Sequence, residues 1–369
     1  MERLPLFGHR ILDLTTGWSG AYGTRLLADM GAEVIKVEAL NDGDSLRASM
    51  GRSDSAGAMF NHVNRNKYGC GLDLGWPEGR GLFLRLVALS DVVVEDFGAP
   101  VAAELGLSYE AFRSARADAI LVSLSTQGTG VSHDDPVAGV AAAAAVGLAL
   151  WHRRRTGEGQ QVEVAQWETM VSLMGEYVLG YSMNGRPPEP IGNRHSFMAP
   201  HGSYRCAGDD QRVAIAVKDD QQFAALCRVM GRPELAAEPR FADVVSRYHN
   251  QDELDGIVEE WTRQHSPEAV TESLQAVGVA AAPVLNAPAL FDDPHLRARG
   301  FWESVSHPEA GTWDLDGVPW RLSRSPAHIR LPAPRFGEHN EYVLRGLLGL
   351  SEGDVRELVE AGIVGRPST

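Results

Sequence analysis

Short apolar runs alternate with helical patterns through the first third of the chain, and this alternation constrains its fold more than any other feature. Runs rich in aliphatic and β-branched residues predict strands at residues 10–14, 33–38, 91–95 and 119–124. Residues 21–30 and 79–89 have the apolar spacing of helices. Strands that alternate with helices form a parallel sheet covered by helices, so the sequence predicts a doubly wound α/β domain.

Polar residues follow several of these predicted strands. In sheets of this kind, functional residues gather at the carboxyl ends of the strands. Glu38, residues 95–97 and residues 123–126 occupy such positions. They are therefore candidates for a binding or catalytic site.

Asp135 and Pro136 mark the start of a long predicted helix. Proline is favoured at the first helical position, so the pair fits an N-cap followed by the first helical residue. Three arginines at 153–155 suit the negative end of the helix dipole. The apolar run 136–151 is short for a bilayer and rich in Ala and Gly, so we expect a buried core helix.

Two interpretations of Asp135 follow from the local sequence. The first is helix capping, a common role for aspartate at this position. The second is a nucleophile, because a carboxylate at the positive end of a helix dipole stays ionised. Local sequence does not decide between them.

The size and charge of the chain limit its function. A chain of 369 residues exceeds one ordinary core, so we expect two domains. A net charge of -15 disfavours nucleic acid and anionic membranes as partners. The overall charge therefore gives no attraction to an anion, and any anion site must depend on cationic groups gathered at that site.

Cysteine usage and the absence of common motifs further narrow the class of protein and its compartment. Cys70, Cys206 and Cys227 form no Cys-x-x-Cys pair, and the first residues have no apolar signal core, so we expect a cytoplasmic protein. The sequence has no P-loop, no Gly-x-Gly-x-x-Gly after a strand and no zinc motif. We therefore expect neither a metal site nor a permanently bound cofactor.

Motifs along nearly the whole chain resemble one enzyme family. Asp135 is followed by Gly139, a helix of small residues and Arg-x-x-Thr-Gly-x-Gly-Gln at 153–160. Further motifs in the same order lie at 26–38, 64–67, 72–74, 95–97, 122–125, 192–195, 293–300 and 337–340. Together they resemble the family III CoA-transferases (CaiB/BaiF), of the formyl-CoA:oxalate and carnitine CoA-transferase type.

The resemblance implies an architecture and a mechanism. The large domain would be formed by both chain ends, with residues 1–185 and 311–369 enclosing a linker and smaller α+β domain at 186–310. Two subunits would interlock as a dimer. Asp135 would be the nucleophile that passes CoA from an acyl-CoA thioester to a carboxylic acid, through an aspartyl anhydride and an aspartyl-CoA thioester.

The resemblance also implies which residues contact coenzyme A. Lysine and arginine suit its phosphates, since they are the usual phosphate partners in proteins. A solvated turn is the competing interpretation of residues 64–67. The implied contacts are Lys36, Asn64, Arg65, Asn66, Lys67, Leu72, Asp96 and Phe97.

The chain departs from the family at positions that are expected to contact CoA. A segment of some tens of residues is missing between Gly130 and Asp135, and Ala39, Asp96 and Glu104 stand where oxalate-type members carry Arg, Asn and Arg. These changes raise an alternative: a non-catalytic or partner subunit of a heteromeric family III enzyme. An acyl-CoA racemase is a lesser alternative, because its histidine belongs to the missing segment.

The motifs at 192–195 and 199–202 bear on the substrate. With no glycine-rich loop beside them, they look less like the oxalate enzymes than like members that use succinyl-CoA and larger carboxylic acids. We therefore expect a succinyl-CoA-type donor. The acceptor acid is left open by the sequence.

Overall fold

The computed structural model of the protein describes residues 4–40, 43–47, 57–125 and 133–366. It divides the chain into two compact units. The larger unit comprises Met1–Ser182 with Ala298–Thr369, and the smaller comprises Met183–Arg297. Both ends of the chain therefore contribute to the larger unit. Thr126 and the shortened segment before Asp135, up to residue 132, lie outside the described residues.

A parallel sheet of six strands forms the centre of the larger unit, in the order β3-β2-β1-β4-β5-β6. The predicted α/β class with a parallel sheet is confirmed. The order reverses between β1 and β4, which makes the carboxyl edge at this point the expected ligand position. The strands are β1 Arg10–Asp13, β2 Glu33–Glu38, β3 Lys67–Gly71, β4 Val92–Glu95, β5 Ile120–Ser125 and β6 Gln161–Ala165.

Helices cover both faces of this sheet because neighbouring residues of each strand face opposite sides. Ile11 packs in a cluster with residues of α1 and α6, whereas Leu12 packs in another with residues of α3 and α5. The helices between residues 18 and 184 are α1 Trp18–Asp29, α2 Ala58–Asn64, α3 Pro77–Ala88, α4 Ala99–Glu104, α5 Tyr109–Ala115, α6 Asp134–Thr156, α7 Gln166–Leu173 and α8 Gly175–Asn184.

Two strands of this six-stranded sheet, β3 and β6, were not expected from the sequence. Residues 64–67 were interpreted as a loop, but Asn64 ends α2 and Lys67 opens β3. Strand β6 was also missed, and both β3 and β6 lie at the edges of the sheet. β3 is mostly buried but carries a lysine and two glycines, and β6 alternates polar and apolar residues, so neither has the continuous apolar run of a central strand.

Helix α6 packs closely on α1 through glycine. A Cβ atom on Gly139 would lie 2.5 Å from the carbonyl oxygen of Ser19, and one on Gly23 would lie 2.7 Å from the carbonyl oxygen of Gly139.

Helix α6 is long and apolar enough to cross a membrane by length and composition alone. It packs on α1 and on β5, but only 33% of its apolar window is buried and Leu148 and Trp151 are exposed, so the predicted buried core helix is confirmed only in part.

The smaller unit has its own core. An antiparallel sheet in the order β7-β8-β9 packs with helices around buried residues such as Phe223, Leu226 and Phe241. Its elements are β7 His201–Arg205, β8 Arg212–Ala216, α9 Asp220–Val229, the 3-10 helix Pro233–Ala237, α10 Val244–His249, α11 Gln251–Thr262, α12 Pro267–Gln275, β9 Ala280–Val284, α13 Ala287–Phe291 and α14 Pro294–Ala298.

The returning C-terminal segment completes the larger unit. It forms the hairpin β10 Trp302–His307 and β11 Gly311–Asp316, a π-helical segment Glu341–Leu347 and helix α15 Glu352–Glu360. Ser351 and Asp354 form a capping box at the start of α15. Val343 and Leu344 lie in the same core cluster as Leu12, so this segment shares the main core.

Candidate active site

A cavity of about 420 Å³ lies at the carboxyl edge of the sheet, beside the reversal of strand order. Segments that follow β1, β2, β3 and β4 all contribute to its wall. The apolar part includes Leu72, Phe97 and Leu105. This is the position at which open α/β sheets bind ligands.

The polar wall of this cavity is mostly acidic. Among the described residues that line it, the carboxylates are Glu38, Asp44, Asp73 and Glu104, and the one cation is Lys36. Glu38 forms a two-point ion pair with Arg47, and both bonds are 2.7 Å. The exposed carboxylate of Glu104 adds negative charge where oxalate-type relatives are expected to carry arginine.

Lys36 lies at the cavity but is only 1% exposed. Its ammonium contacts the carboxylate of Asp44 at 2.6 Å and donates to the carbonyl oxygen of Thr15 at 2.7 Å. Asp44 therefore neutralises much of its charge. The phosphate contact implied for Lys36 stays a prediction, and it would have to compete with Asp44.

Lys67 and Asn64 belong to a buried polar cluster. Lys67 is fully buried and donates to Asp13 Oδ2 at 2.8 Å, to Asn64 Oδ1 at 2.7 Å and to the carbonyl oxygen of Ala21 at 3.0 Å. Burial alone would raise the pKa of Asp13, but Lys67 and Lys36 outweigh it and lower that pKa to about 2. All three ammonium donors of Lys67 are used within the chain, so the implied phosphate contact stays a prediction that would have to displace one of these partners.

Arg65 and Asn66 hold the returning segment in place. The fully buried guanidinium of Arg65 pairs with Asp29 at 2.9 Å and also binds Asp316 of β11. Asn66 has a φ of 63° and donates from Nδ2 to Asp29 Oδ1 at 2.6 Å, while its Oδ1 accepts from the backbone N–H of Arg330. These contacts account for both side chains without coenzyme A.

Asp96 and Phe97 follow β4 but differ in position. Phe97 and Leu72 line the cavity, and their implied contact with CoA stays a prediction. Asp96 instead accepts hydrogen bonds from the backbone N–H groups of Thr16 and Gly17, each at 2.9 Å, and so holds the start of α1. Its burial raises its pKa.

Asp135 lies at the same edge of the sheet as the cavity. Helices α1 and α6 each follow a strand of the parallel sheet, so both begin at its carboxyl edge. Gly139 contacts Ser19 in the first turn of α1, and Asp135 precedes Gly139 by about one helical turn. Asp135 Oδ1 accepts a hydrogen bond of 2.8 Å from Gln166 Nε2.

The helix-capping interpretation of Asp135 is wrong. Helix α6 begins at Asp134, and its N-cap is His133, whose side chain makes no capping hydrogen bond. Asp135 is therefore inside the first turn and its carboxylate contacts Gln166 of α7 instead. Burial, with a smaller contribution from Asp134, raises the pKa of Asp135 against the opposing hydrogen bond from Gln166.

Residues 6–135 and 127–340 match the model of CoA-transferase family III. The chain belongs to that family. It is 36% identical to the succinyl-CoA:mesaconate CoA-transferase of Haloarcula marismortui, over 91% of this chain and 94% of the relative. It is 30% identical to the beta subunit of succinyl-CoA–L-malate CoA-transferase of Chloroflexus aurantiacus, over 96% of this chain and 97% of that subunit.

A solved structure agrees in fold with this family III CoA-transferase. A CAIB/BAIF family protein from Brucella suis superposes with a TM-score of 0.82 and 27% sequence identity, covering 94% of this chain and all of that one. The resemblance found in the sequence is thus confirmed, and the protein is an enzyme that transfers CoA.

Gln166 was not among the site residues expected for this CoA-transferase. It follows β6, the edge strand that the sequence did not reveal, so no signal placed it at the carboxyl edge. Among the described residues, no group of three or more histidines, cysteines and carboxylates could hold a metal ion.

Proposed function

We propose that this enzyme moves CoA from succinyl-CoA to a small carboxylic acid, with Asp135 as the nucleophile. The observation that supports this most is the Asp135 carboxylate at the start of α6, whose Oδ1 is held by a hydrogen bond from Gln166. The other oxygen, Oδ2, is the proposed attacking atom. None of the described cations forms a salt bridge with Asp135 that would mask its charge. Succinyl-CoA in the names of both relatives supports the donor.

The reaction would proceed through covalent intermediates on Asp135. Oδ2 attacks the thioester carbonyl, the carbon–sulfur bond breaks, and CoA leaves as a thiolate from a mixed anhydride. The thiolate then attacks Asp135 Cγ, which forms an aspartyl-CoA thioester and releases the donor acid with the former Oδ2. Covalent catalysis divides one difficult displacement into easier steps.

The second half of the reaction repeats these steps with the acceptor. The acceptor carboxylate attacks Asp135 Cγ and displaces the CoA thiolate, giving a second anhydride. The thiolate attacks the acyl carbonyl of that anhydride, so the new thioester leaves and the Asp135 carboxylate is restored. One oxygen of the restored carboxylate comes from the acceptor acid.

A transfer assay with the purified chain tests this proposal. Succinyl-, acetyl- and formyl-CoA are each offered with dicarboxylic and aromatic acids, and new acyl-CoA is measured by chromatography. We expect succinyl-CoA with a dicarboxylic acceptor to be the best pair. A clear preference for formyl-CoA with oxalate would overturn the donor assignment.

The cavity at the carboxyl edge is the proposed receptor for the nucleotide end of CoA. Leu72, Phe97 and Leu105 supply apolar surface for an adenine ring, whereas the acidic wall repels phosphate. We therefore expect weaker CoA binding than in relatives with arginine at the cavity.

Replacing Glu104 with arginine should strengthen CoA binding by about tenfold, because a repelling carboxylate becomes a phosphate partner. Glu104 lines the cavity and is exposed, so the change does not disturb the core. Calorimetric titration at low and physiological salt measures the effect. Glu357→Arg, the same charge change on exposed α15, is the matched control. Equal effects of both variants would contradict a nucleotide site in this cavity.

A partner-subunit role is the second candidate, favoured by the acidic cavity wall. The relative from Chloroflexus aurantiacus is itself named as a beta subunit. In this case the purified chain would bind no CoA, and transfer would appear only after co-expression with a paralogue. The same titration therefore separates the two candidates.

We also propose that two subunits associate as the interlocked dimer that the resemblance implied. Large apolar side chains of α7 and α8 are exposed in the single chain, among them Trp167 at 57% and Leu173 at 63%. Contiguous apolar surface of this kind marks a protein–protein interface. Light scattering should give twice the 40.0 kDa chain mass, and a stable monomer at micromolar concentration would exclude the dimer.

A cytoplasmic location is proposed as well. The cysteines Cys70, Cys206 and Cys227 are all free and buried, as suits a reducing compartment. Cell fractionation followed by immunoblotting checks this location, and recovery with the membrane fraction would contradict it.

A further inference from the structure

The side chain of Gln166 contacts Asp135 of α6 and does not cap its own helix, α7. It is the first residue of α7, directly after β6, and it is 4% exposed. Its side-chain amide donates from Nε2 to Asp135 Oδ1 at 2.8 Å, across to α6. The N-cap of α7 is Ala165, which makes no side-chain capping hydrogen bond. The amide therefore connects the strand-to-helix junction to the reacting carboxylate.

A neutral donor suits a nucleophile better than a cation does. Arginine or lysine at this position would form an ion pair and lower the basicity of the carboxylate. An amide orients one oxygen and leaves the charge in place. Because the donor is buried and fixed before reaction, little reorganisation is needed when charge develops beside it.

We propose that Gln166 is a catalytic residue whose Nε2–H stabilises the oxyanion that develops on Asp135 Oδ1. This inference rests on the proposed role of Asp135 as nucleophile. The oxyanion forms when the CoA thiolate attacks Cγ of the mixed anhydride. The sulfur–Cγ bond forms, the carbonyl electron pair moves to Oδ1, and its return expels the donor carboxylate with Oδ2. Attack by the acceptor carboxylate on the aspartyl thioester develops the same charge on Oδ1 and expels the thiolate.

Gln166 contributes differently to the two kinds of step. When Asp135 attacks the donor thioester, negative charge develops on the oxygen of the substrate carbonyl, and Asp135 loses charge. Only attack at Cγ places new charge on Oδ1, the atom that Gln166 contacts. Loss of the donor should therefore slow the steps at Cγ and spare the first attack.

Rapid quenching with succinyl-CoA labelled in the succinyl group separates these steps. Protein-bound label appears when the anhydride forms and disappears when thiolate attacks Cγ. In Gln166→Met, which keeps the side-chain length without the donor, we expect label to appear at a rate within about threefold of the natural enzyme. Its disappearance should slow by about 100-fold, the effect of losing one oxyanion donor.

Two further variants keep the test decisive. Gln166→Asn retains an amide but shortens the side chain, so it should show the same kinetics as Gln166→Met. Ser172→Ala removes an exposed hydrogen bond of the same helix and should behave as the natural enzyme. Equal slowing of both steps in Gln166→Met, or no change in either, would overturn the inference. Absence of label on the natural enzyme would instead contradict the proposed function, so the two failures are distinguishable.

Discussion

Replacing Asp135 with asparagine is expected to lower kcat by about 10⁴-fold or more, as the loss of a covalent nucleophile does in other enzymes. The amide is a poor nucleophile and cannot form the anhydride. The fold should persist, because the amide oxygen of asparagine can still accept the hydrogen bond from Gln166. The transfer assay with succinyl-CoA and the preferred acceptor measures the loss, and circular dichroism checks the fold.

A matched variant and a trapping experiment accompany this result. Glu168→Gln makes the same carboxylate-to-amide change on the exposed side of α7 and should leave transfer unchanged. Hydroxylamine added with acyl-CoA should modify Asp135. Modification of the neighbouring Asp134, or of no residue, would contradict the assignment.

The pH dependence of transfer follows from the same carboxylate. Asp135 attacks in its ionised form, and burial raises its pKa above the ordinary value. Transfer should therefore be fully present at neutral pH and fall as the pH drops through that raised pKa. For an unshifted aspartate, the loss would begin only at lower pH.

The central strands could be predicted from sequence because burial on both faces demands continuous apolar runs. β1, β4 and β5 carry such runs, and β2 carries β-branched residues on both sides of Lys36, so the sequence located all four. β3 contains two glycines and a lysine, and β6 alternates polar and apolar residues. Their pairing depends on neighbours far along the chain, so no local pattern revealed them.

The position of Asp135 was predictable from sequence, but its contacts were not. The Asp-Pro pair located the helix start to within two residues, since α6 begins at Asp134. Gln166 lies 31 residues further along, and the hydrogen bond forms only after β6 joins the sheet. The local sequence therefore suggested that Asp135 caps its own helix. In the folded protein its carboxylate instead accepts a hydrogen bond from Gln166.

The cations near the predicted CoA site show again that contacts between distant residues cannot be predicted from local sequence. Sequence reveals that residues 64–67 carry positive charge, but it does not reveal what neutralises that charge. Asp13 and Asp29 lie 54 and 36 residues away from their partners Lys67 and Arg65, and Asp316 lies 251 residues from Arg65. Only the folded sheet and the returning segment bring these carboxylates to the cations.

Replacing Lys67 with methionine should destabilise the enzyme by about 3–5 kcal/mol, because it leaves the carboxylate of Asp13 buried without its partner. Both side chains are fully buried, 2.8 Å apart, so solvent cannot compensate. The free energy of unfolding from urea titration measures the effect. Lys218→Met is the matched control, since that lysine is 66% exposed and only weakly paired.

A second substitution tests whether the loss arises from the unpaired charge. In the double variant Lys67→Met with Asp13→Leu, no buried charge remains from this pair, and replacing such a pair by apolar residues is often neutral. The double variant should therefore recover much of the lost stability. If Lys67→Met instead kept its stability and lost CoA affinity, Lys67 would be a phosphate contact after all, and the buried ion pair with Asp13 would not describe the enzyme in solution.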